Sequence, residues 1–413
     1  MAFTNEQQQA IDKKGSNILV SAAAGSGKTT VLVARIINKI IKQKVDIDKL
    51  LIVTFTSAAA SEMKERLLKA LYSEVDKNPY DENLQRQINL INKAHISTIS
   101  SFCLDVIRNN FFETELSANF RVADENEIQI MKEDCIEEIF EEKYEKQDEE
   151  FLNLLKLYTT YKDDQPLKDL IMKIYEFTTS VPFPRKWLED AVEDYNIKED
   201  VKDFSDTKWG KIILDYAKDQ TNSSIKNLIM CKNMLDGIFN LTDCYDVICK
   251  NINSLKMIDY TSWDLAYKDI QNMEWLEWSR KRKYDEGEKE IKDSSKQIRD
   301  EVKKNLSKLF DDWFVYNSEE ILKDIKNMHP VLKELSNLVF EFEEKFAKKK
   351  REKNIVDFSD IEHFALKLLV NEDGSKTEIA KKYDFNEILI DEYQDSNLVQ
   401  ESILNSVNNS KRG

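Results

Sequence analysis

Ala22-Ala23-Ala24-Gly25-Ser26-Gly27-Lys28-Thr29 follows a short apolar run, Ser16–Ser21, and leads into the helical pattern Val31-Leu32-Val33-Ala34-Arg35-Ile36-Ile37. Gly25 and Gly27 are two of only eight glycines in 413 residues. Without side chains, they let backbone N–H groups wrap a phosphate in front of a helix N-terminus. Lys28 then reaches the β- and γ-phosphates, and the Thr29 hydroxyl ligates Mg²⁺. Ala22 stands where the strict pattern has Gly, and a small residue serves there. Residues Ala22, Ala23, Ala24, Gly25, Ser26, Gly27, Lys28, Thr29 and Thr30 are therefore expected to hold ATP with Mg²⁺. A chance Gly-rich turn is the alternative, and the strand before, the helix after and the intact Gly-Lys-Thr argue against it.

Outward from the loop, three more apolar runs read as buried parallel strands: Leu50–Phe55, His95–Ile99 and Glu387–Asp391. Each is followed by a helical pattern or a polar loop, as in an α/β domain with helices on both faces. The last run ends in Asp391-Glu392-Tyr393-Gln394-Asp395. Phosphoryl transfer to water needs a carboxylate serving the metal and a base that orients the water. Asp391 suits the first role and Glu392 the second, with Gln394 and Lys28 completing the candidate catalytic set. An acidic pair after a strand is a weak sign alone and a strong one beside the glycine loop.

Between these parts lies a long stretch with little strand character. Its clearest feature is Ile321, Ile325, Met328, Leu332, Leu335, Val339, Phe342 and Phe346, spaced alternately by four and three residues. That spacing predicts one stripe of a long helix, a core face, which Pro330 kinks or divides. The predicted fold is thus α/β, with a parallel sheet formed by residues 1–120 and 355–413 and interrupted by an all-α insertion over 121–354.

Composition limits the function. A formal charge of −16 excludes a globally basic DNA-binding surface, so any nucleic-acid contact must be a local groove. Five cysteines with no Cys-x-x-Cys pair argue against a disulfide framework or a zinc site. With only three histidines, His-based catalysis is not expected, and His329 and His363 read as structural. No long apolar span or signal pattern is present, so a cytoplasmic location without membrane contact is expected. Two basic runs, Lys348–Arg351 and Arg280–Lys283, the latter near Trp275, Trp278 and Tyr284, are open to duplex binding. A solvated helix face is the favoured reading of both.

Asp-Glu-x-Gln-Asp resembles the UvrD-like branch of superfamily 1 DNA helicases. Phe3-Thr4-Asn5-Glu6-Gln7 is similar to that branch's Q motif, which implies that Gln7 reads the adenine edge. Thr54-Phe55-Thr56-Ser57-Ala58-Ala59-Ala60-Ser61-Glu62-Met63 and Ser97-Thr98-Ile99-Ser100-Ser101-Phe102-Cys103 resemble its single-strand DNA contact motifs. The resemblance implies DNA contacts at Thr54, Phe55, Thr56, Thr98, Ser100 and Ser101, with Phe55 offering a ring to a base. Val356-Asp357-Phe358-Ser359-Asp360 resembles the segment that returns the chain from the insertion. Ser100 replaces a usual His, and Ser57 a usual Asn.

Within that branch, the loop and Asp391-Glu392-Tyr393-Gln394-Asp395-Ser396-Asn397 look most like the AddA family of helicase–nuclease subunits. This implies a RecA-like P-loop NTPase core, 3′-to-5′ translocation on single-stranded DNA, and DNA-end processing in recombinational repair with an AddB-like second subunit. Duplex ends and single strands would be the DNA partners. The chain is expected to be an N-terminal part of such a protein. A second motor domain with arginine fingers and a nuclease would follow, so negligible turnover by this part is expected. Two alternatives stay open: a nucleotide- and DNA-binding module without turnover, and a UvrD-like repair helicase without nuclease. A P-loop ATPase of another class is disfavoured by Asp-Glu-x-Gln-Asp together with Thr-Phe-Thr.

Overall fold

The computed structural model describes residues 3–23, 25–117, 119–158, 163–279 and 285–408. Ala24 of the glycine loop, the basic run Arg280–Lys283 and Tyr284 lie outside the described residues.

Strand β1 (Leu50–Thr54) lies between β2 (His95–Thr98) and a later strand, Glu387–Ile390, and both pairings are parallel. All five residues of β1 are buried, so an alternating polar face is not available to them. Successive side chains serve two different cores. Leu50 and Ile52 meet Ile36, Ile40, Met63, Leu67 and Leu389 on one face. Leu51 and Val53 meet Phe102, Val106, Ile361, Leu366 and Ile403 on the other. Each such side chain contributes about 1.5–3 kcal/mol relative to exposure.

The expected strand at Ser16–Ser21 does not form. Asn17–Ala23 has no regular structure, and Leu19 is 78% exposed. Among the described residues no strand pairs with this segment. A strand is stable only when its N–H and C=O groups find a neighbour, and apolar content does not supply one.

A second parallel pair, β3 (Arg121–Val122) with β4 (Ile355–Val356), was not anticipated. It joins the chain where the helical stretch begins to where it ends. β5 is then the strand Glu387–Ile390 of the main sheet. After β4, Asp357 caps the helix Phe358–Leu369 in a capping box with Asp360.

The chain folds as two compact units. One runs to Glu189 and resumes at Glu334, and the other is Asp190–Lys333. The first therefore takes in the helices Glu125–Lys146, Glu149–Tyr158 and Gln165–Thr178 as well as the sheet. The second is built on Lys208–Leu235, Thr242–Lys256 and Glu286–Trp313 around Leu214, Leu228, Ile248, Leu255, Val302 and Leu306. Trp263 stacks on Phe314 in that core at 4.5 Å. Gly210 is required there, because a Cβ would sit 1.9 Å from the Phe204 carbonyl oxygen.

The periodic stripe lies on one helix, Ser318–Glu352, which runs through Pro330. Leu335, Val339, Phe342 and Phe346 are buried, while Met328 is exposed. The basic run at its end is engaged in ion pairs. Lys349 pairs with Glu138 at 2.7 Å, Lys350 with Asp357 at 2.9 Å and Asp360 at 2.7 Å, and Arg351 with Glu115 at 3.1 Å. Trp275 and Trp278 pack against the core of the second unit, with the Arg299 guanidinium 5.8 and 5.9 Å from their rings. His363 Nε2 is 2.9 Å from the Thr179 carbonyl oxygen. Cys103, Cys135, Cys231 and Cys244 are free and buried. No helix among the described residues is long and apolar enough to cross a membrane.

Candidate nucleotide and DNA-contact site

Gly25 and Gly27 take φ of 77° and 87°, the left-handed region in which a side chain is strained. Gly27 is the N-cap of the helix Lys28–Gln43, and being glycine it offers no side-chain cap. No acidic residue occupies that helix's first turn. The helix thus sets no carboxylate of its own first turn against its orphan N–H groups and the positive end of its dipole, the arrangement an anion needs. Ala22, Ala23, Gly25, Ser26 and Thr30 are exposed, and Lys28 and Thr29 are half-buried. The Ser26 N–H donates to the Ala23 carbonyl at 3.2 Å, and Lys28 Nζ donates to the Ala22 carbonyl at 3.2 Å.

Gln7 lies against this loop. Its Nε2 donates to the Ser26 carbonyl at 3.1 Å, and its Oε1 accepts from the Thr4 N–H at 3.0 Å in a capping box. The amide that family resemblance assigns to adenine is here engaged by the loop and by its own helix cap.

Asp391 is the first residue beyond β5. Its N–H donates to the Val53 carbonyl at 2.9 Å, which continues the ladder and fixes where the carboxylate leaves the sheet. Burial pushes its pKa up, and the negative charge of Glu392 adds to this. The Glu392 N–H and the positive charge of Lys28 pull it partly back. The Lys28 charge on the glycine loop thus acts on the carboxyl at the acidic strand end. Glu392 is held at φ 60°, left-handed for a residue with a side chain, a cost of order 1–3 kcal/mol that clusters at functional sites. Gln394 Nε2 donates to the Glu392 carboxylate at 2.5 Å.

Register carries Thr54 and Thr98, the expected DNA-side residues, to the same edge. Thr54 is opposite Thr98, and Val53 is opposite Ile390, so the C-terminal ends of all three strands emerge together. Open parallel sheets bind ligands at this edge. Thr54 is buried, and its hydroxyl donates to the Thr56 carbonyl at 3.0 Å. Thr56 caps the helix Ser57–Lys77 by accepting from the Ala59 N–H, which leaves its own proton to give. Thr98 caps Ile99–Asn109, accepts from the Ser101 N–H at 3.2 Å and lies 2.8 Å from the Ser101 hydroxyl. Ser100 is half-buried in the first turn of that helix. Phe55 is 65% exposed, an open ring at the strand end.

Sequence reasoning assigned no role to Arg35. Its Nε donates to Glu387 Oε1 at 2.6 Å, and Nη2 reaches Oε2 at 3.3 Å. Nη1 donates to the Ala10 carbonyl at 2.6 Å. Lys39 pairs with the same Glu387 carboxylate. The available signal was a guanidinium and an ammonium four residues apart on a helix whose inward side is otherwise mainly apolar, Asn38 apart.

Comparison with known proteins identifies the chain's relatives. The ATP-dependent helicase/nuclease A subunit of Clostridioides difficile (strain 630) is 43% identical over 425 residues, spanning 99% of this chain and 33% of that protein. The protein of the same name from Clostridium novyi (strain NT) is 44% identical over 422 residues, 98% of this chain and 33% of the relative. That from Thermoanaerobacter sp. (strain X514) is 41% identical over 417 residues, 98% and 34% respectively. The chain thus spans about a third of the length of these relatives. Residues 3–412 match the UvrD/REP helicase N-terminal domain, and the chain belongs to that family.

Proposed function

We propose that this chain is the ATP-binding motor region of a helicase–nuclease of the AddA type that moves 3′-to-5′ along single-stranded DNA. The whole protein would process duplex ends for recombinational repair in the cytoplasm, beside an AddB-like partner. The observation that carries this reading is that Asp391 leaves the sheet at the edge that also presents Thr54, Phe55 and Thr98, with the Lys28 charge acting on its carboxyl. Nucleotide chemistry and a single-strand contact thereby share one rigid element. Residues 121–354 form the insertion that leaves a RecA-like core at β3 and returns at β4.

The donor set fits a hard cation, because Mg²⁺ takes one or two carboxylates together with phosphate oxygens. The Thr29 hydroxyl and the Asp391 carboxylate would hold it, and bound there it supplies charge neutralisation to the phosphates. The amides from Gly25 to Thr30 and the Lys28 ammonium cradle the phosphate chain. Glu392 orients a water, with Gln394 fixing the direction of its carboxylate. Gln7 holds the loop through Ser26 and lies where the base would be met.

Fluorescence anisotropy with a labelled oligothymidylate tests the DNA half. Phe55→Ala should weaken binding by about fivefold or more, the worth of one base–aromatic stack. Equal affinity in parent and variant would remove Phe55 from the DNA path.

A further inference from the structure

We infer that Arg35 is a positioning residue that sets the Asp391 strand and the Gln7 helix in register with the phosphate-binding loop. This rests on the nucleotide-site reading above. Three elements present the nucleotide-facing groups: the helix Asn5–Asp12 carries Gln7, the helix Lys28–Gln43 carries Lys28 and Thr29, and β5 delivers Asp391. One guanidinium touches all three. It sits two helical turns beyond Lys28, about 10 Å along the axis. It forks onto both oxygens of Glu387, the first residue of β5, at 2.6 and 3.3 Å. It also donates to the Ala10 and Ile11 carbonyls at 2.6 and 3.4 Å, at the end of the Gln7 helix. The Arg35 side chain is 11% exposed, so water competes little for these bonds.

Burial alone does not do this work. Ile36 and Ile40 already hold the helix against Ile52 and Leu389, and apolar contact is non-directional, so it leaves sliding and rotation loosely set. A planar fork on a carboxylate fixes distance and direction together. Charge is not the scarce element either, because Lys39 also pairs with Glu387. What Arg35 adds is a three-way geometry that a lysine's point charge cannot reproduce. Displacements near 1 Å at a reacting centre can cost about a hundredfold.

The two arms of the fork separate experimentally. Glu387→Gln loosens the strand arm, whereas Arg35→Lys and Arg35→Gln loosen both. Titration of ADP into the 413-residue chain, once with Mg²⁺ and once with EDTA, gives the metal enhancement of binding for each variant. Glu387→Gln should lower Mg²⁺-supported affinity about tenfold while changing metal-free affinity less than about twofold. Arg35→Lys should resemble Arg35→Gln, losing affinity under both conditions. Thermal unfolding is followed in parallel, and if Arg35→Gln does not fold, Glu387→Gln and Arg35→Lys decide. An unchanged metal enhancement in Glu387→Gln together with parent-like binding by Arg35→Lys, whatever their melting temperatures, overturns the inference and leaves Arg35 a stabilising contact. Lys28→Ala is the control for the underlying site: if it binds as the parent does, the site reading itself is wrong. If it loses binding while the other variants keep theirs, only the role of Arg35 falls.

Discussion

Asp391 leaves a strand that is hydrogen-bonded along β1 and whose Leu389 is buried, whereas Lys28 lies beyond a segment, Asn17–Ala23, with no strand partner among the described residues and an exposed Leu19. The two halves of the proposed nucleotide site are thus held by different means. The acidic half is held by a sheet with a core on each face. The phosphate half is held from behind, by the helix Lys28–Gln43 packed on that sheet, and from the side by Gln7 on Ser26. The glycine loop thus keeps its left-handed Gly25 and Gly27 in front of a helix fixed to the sheet, without a formed strand before it among the described residues.

Substitutions sharpen this contrast, and the largest effect should come from the sheet. Ile52→Ala removes a fully buried side chain between the loop helix and β1 and should cost about 2–5 kcal/mol in chemical denaturation. A loss below about 1 kcal/mol would show that the sheet is not the common anchor. Next is Asp391→Asn, which keeps shape and removes charge. It should reduce Mg²⁺-supported nucleotide affinity by about 10–100-fold, with little change in EDTA. Equal losses under both conditions would mean that Asp391 does not serve the metal.

Acidity gives a smaller, graded effect. Burial, with Glu392 second, raises the pKa of Asp391, so its carboxylate is protonated at a higher pH than an ordinary aspartate. Mg²⁺-supported binding should accordingly fade, as pH falls, earlier than an unperturbed aspartate would allow. Its folding linkage has the opposite sign: the contribution is present below the ordinary value and lost as pH rises through the raised one. Calorimetric affinities across acidic pH should show the fade in the parent and not in Asp391→Asn, and a fade shared by both would place the titration elsewhere. The smallest change belongs to the unpaired segment. Leu19→Ala should shift stability by less than about 0.5 kcal/mol, and a larger loss would mean that Leu19 is packed in solution.

Local chemistry explains which features were legible in the sequence. Gly25, Gly27 and Lys28 announce themselves because a phosphate cradle needs those residue types at that spacing. Leu50–Thr54 reads as a buried strand because both of its faces are covered. Ser16–Ser21 carries the same apolar signal and is no strand, since pairing depends on a neighbour that composition does not reveal. Arg35 was invisible for a related reason: its partners, Ala10 and Glu387, are brought together only by the fold. The basic run Lys348–Arg351 shows the reverse case, where carboxylates distant in sequence at Glu115 and Glu138 engage cations that look free in the sequence.

Whether Lys28 and Asp391 form one nucleotide site is measured directly by calorimetric titration of Mg²⁺·ADP into the parent, Lys28→Ala, Asp391→Asn and the double variant. One site predicts binding by the parent, loss of about tenfold or more in each single variant, and a double variant little worse than either. Full additivity of the two losses, or parent-like binding by Lys28→Ala, would contradict it.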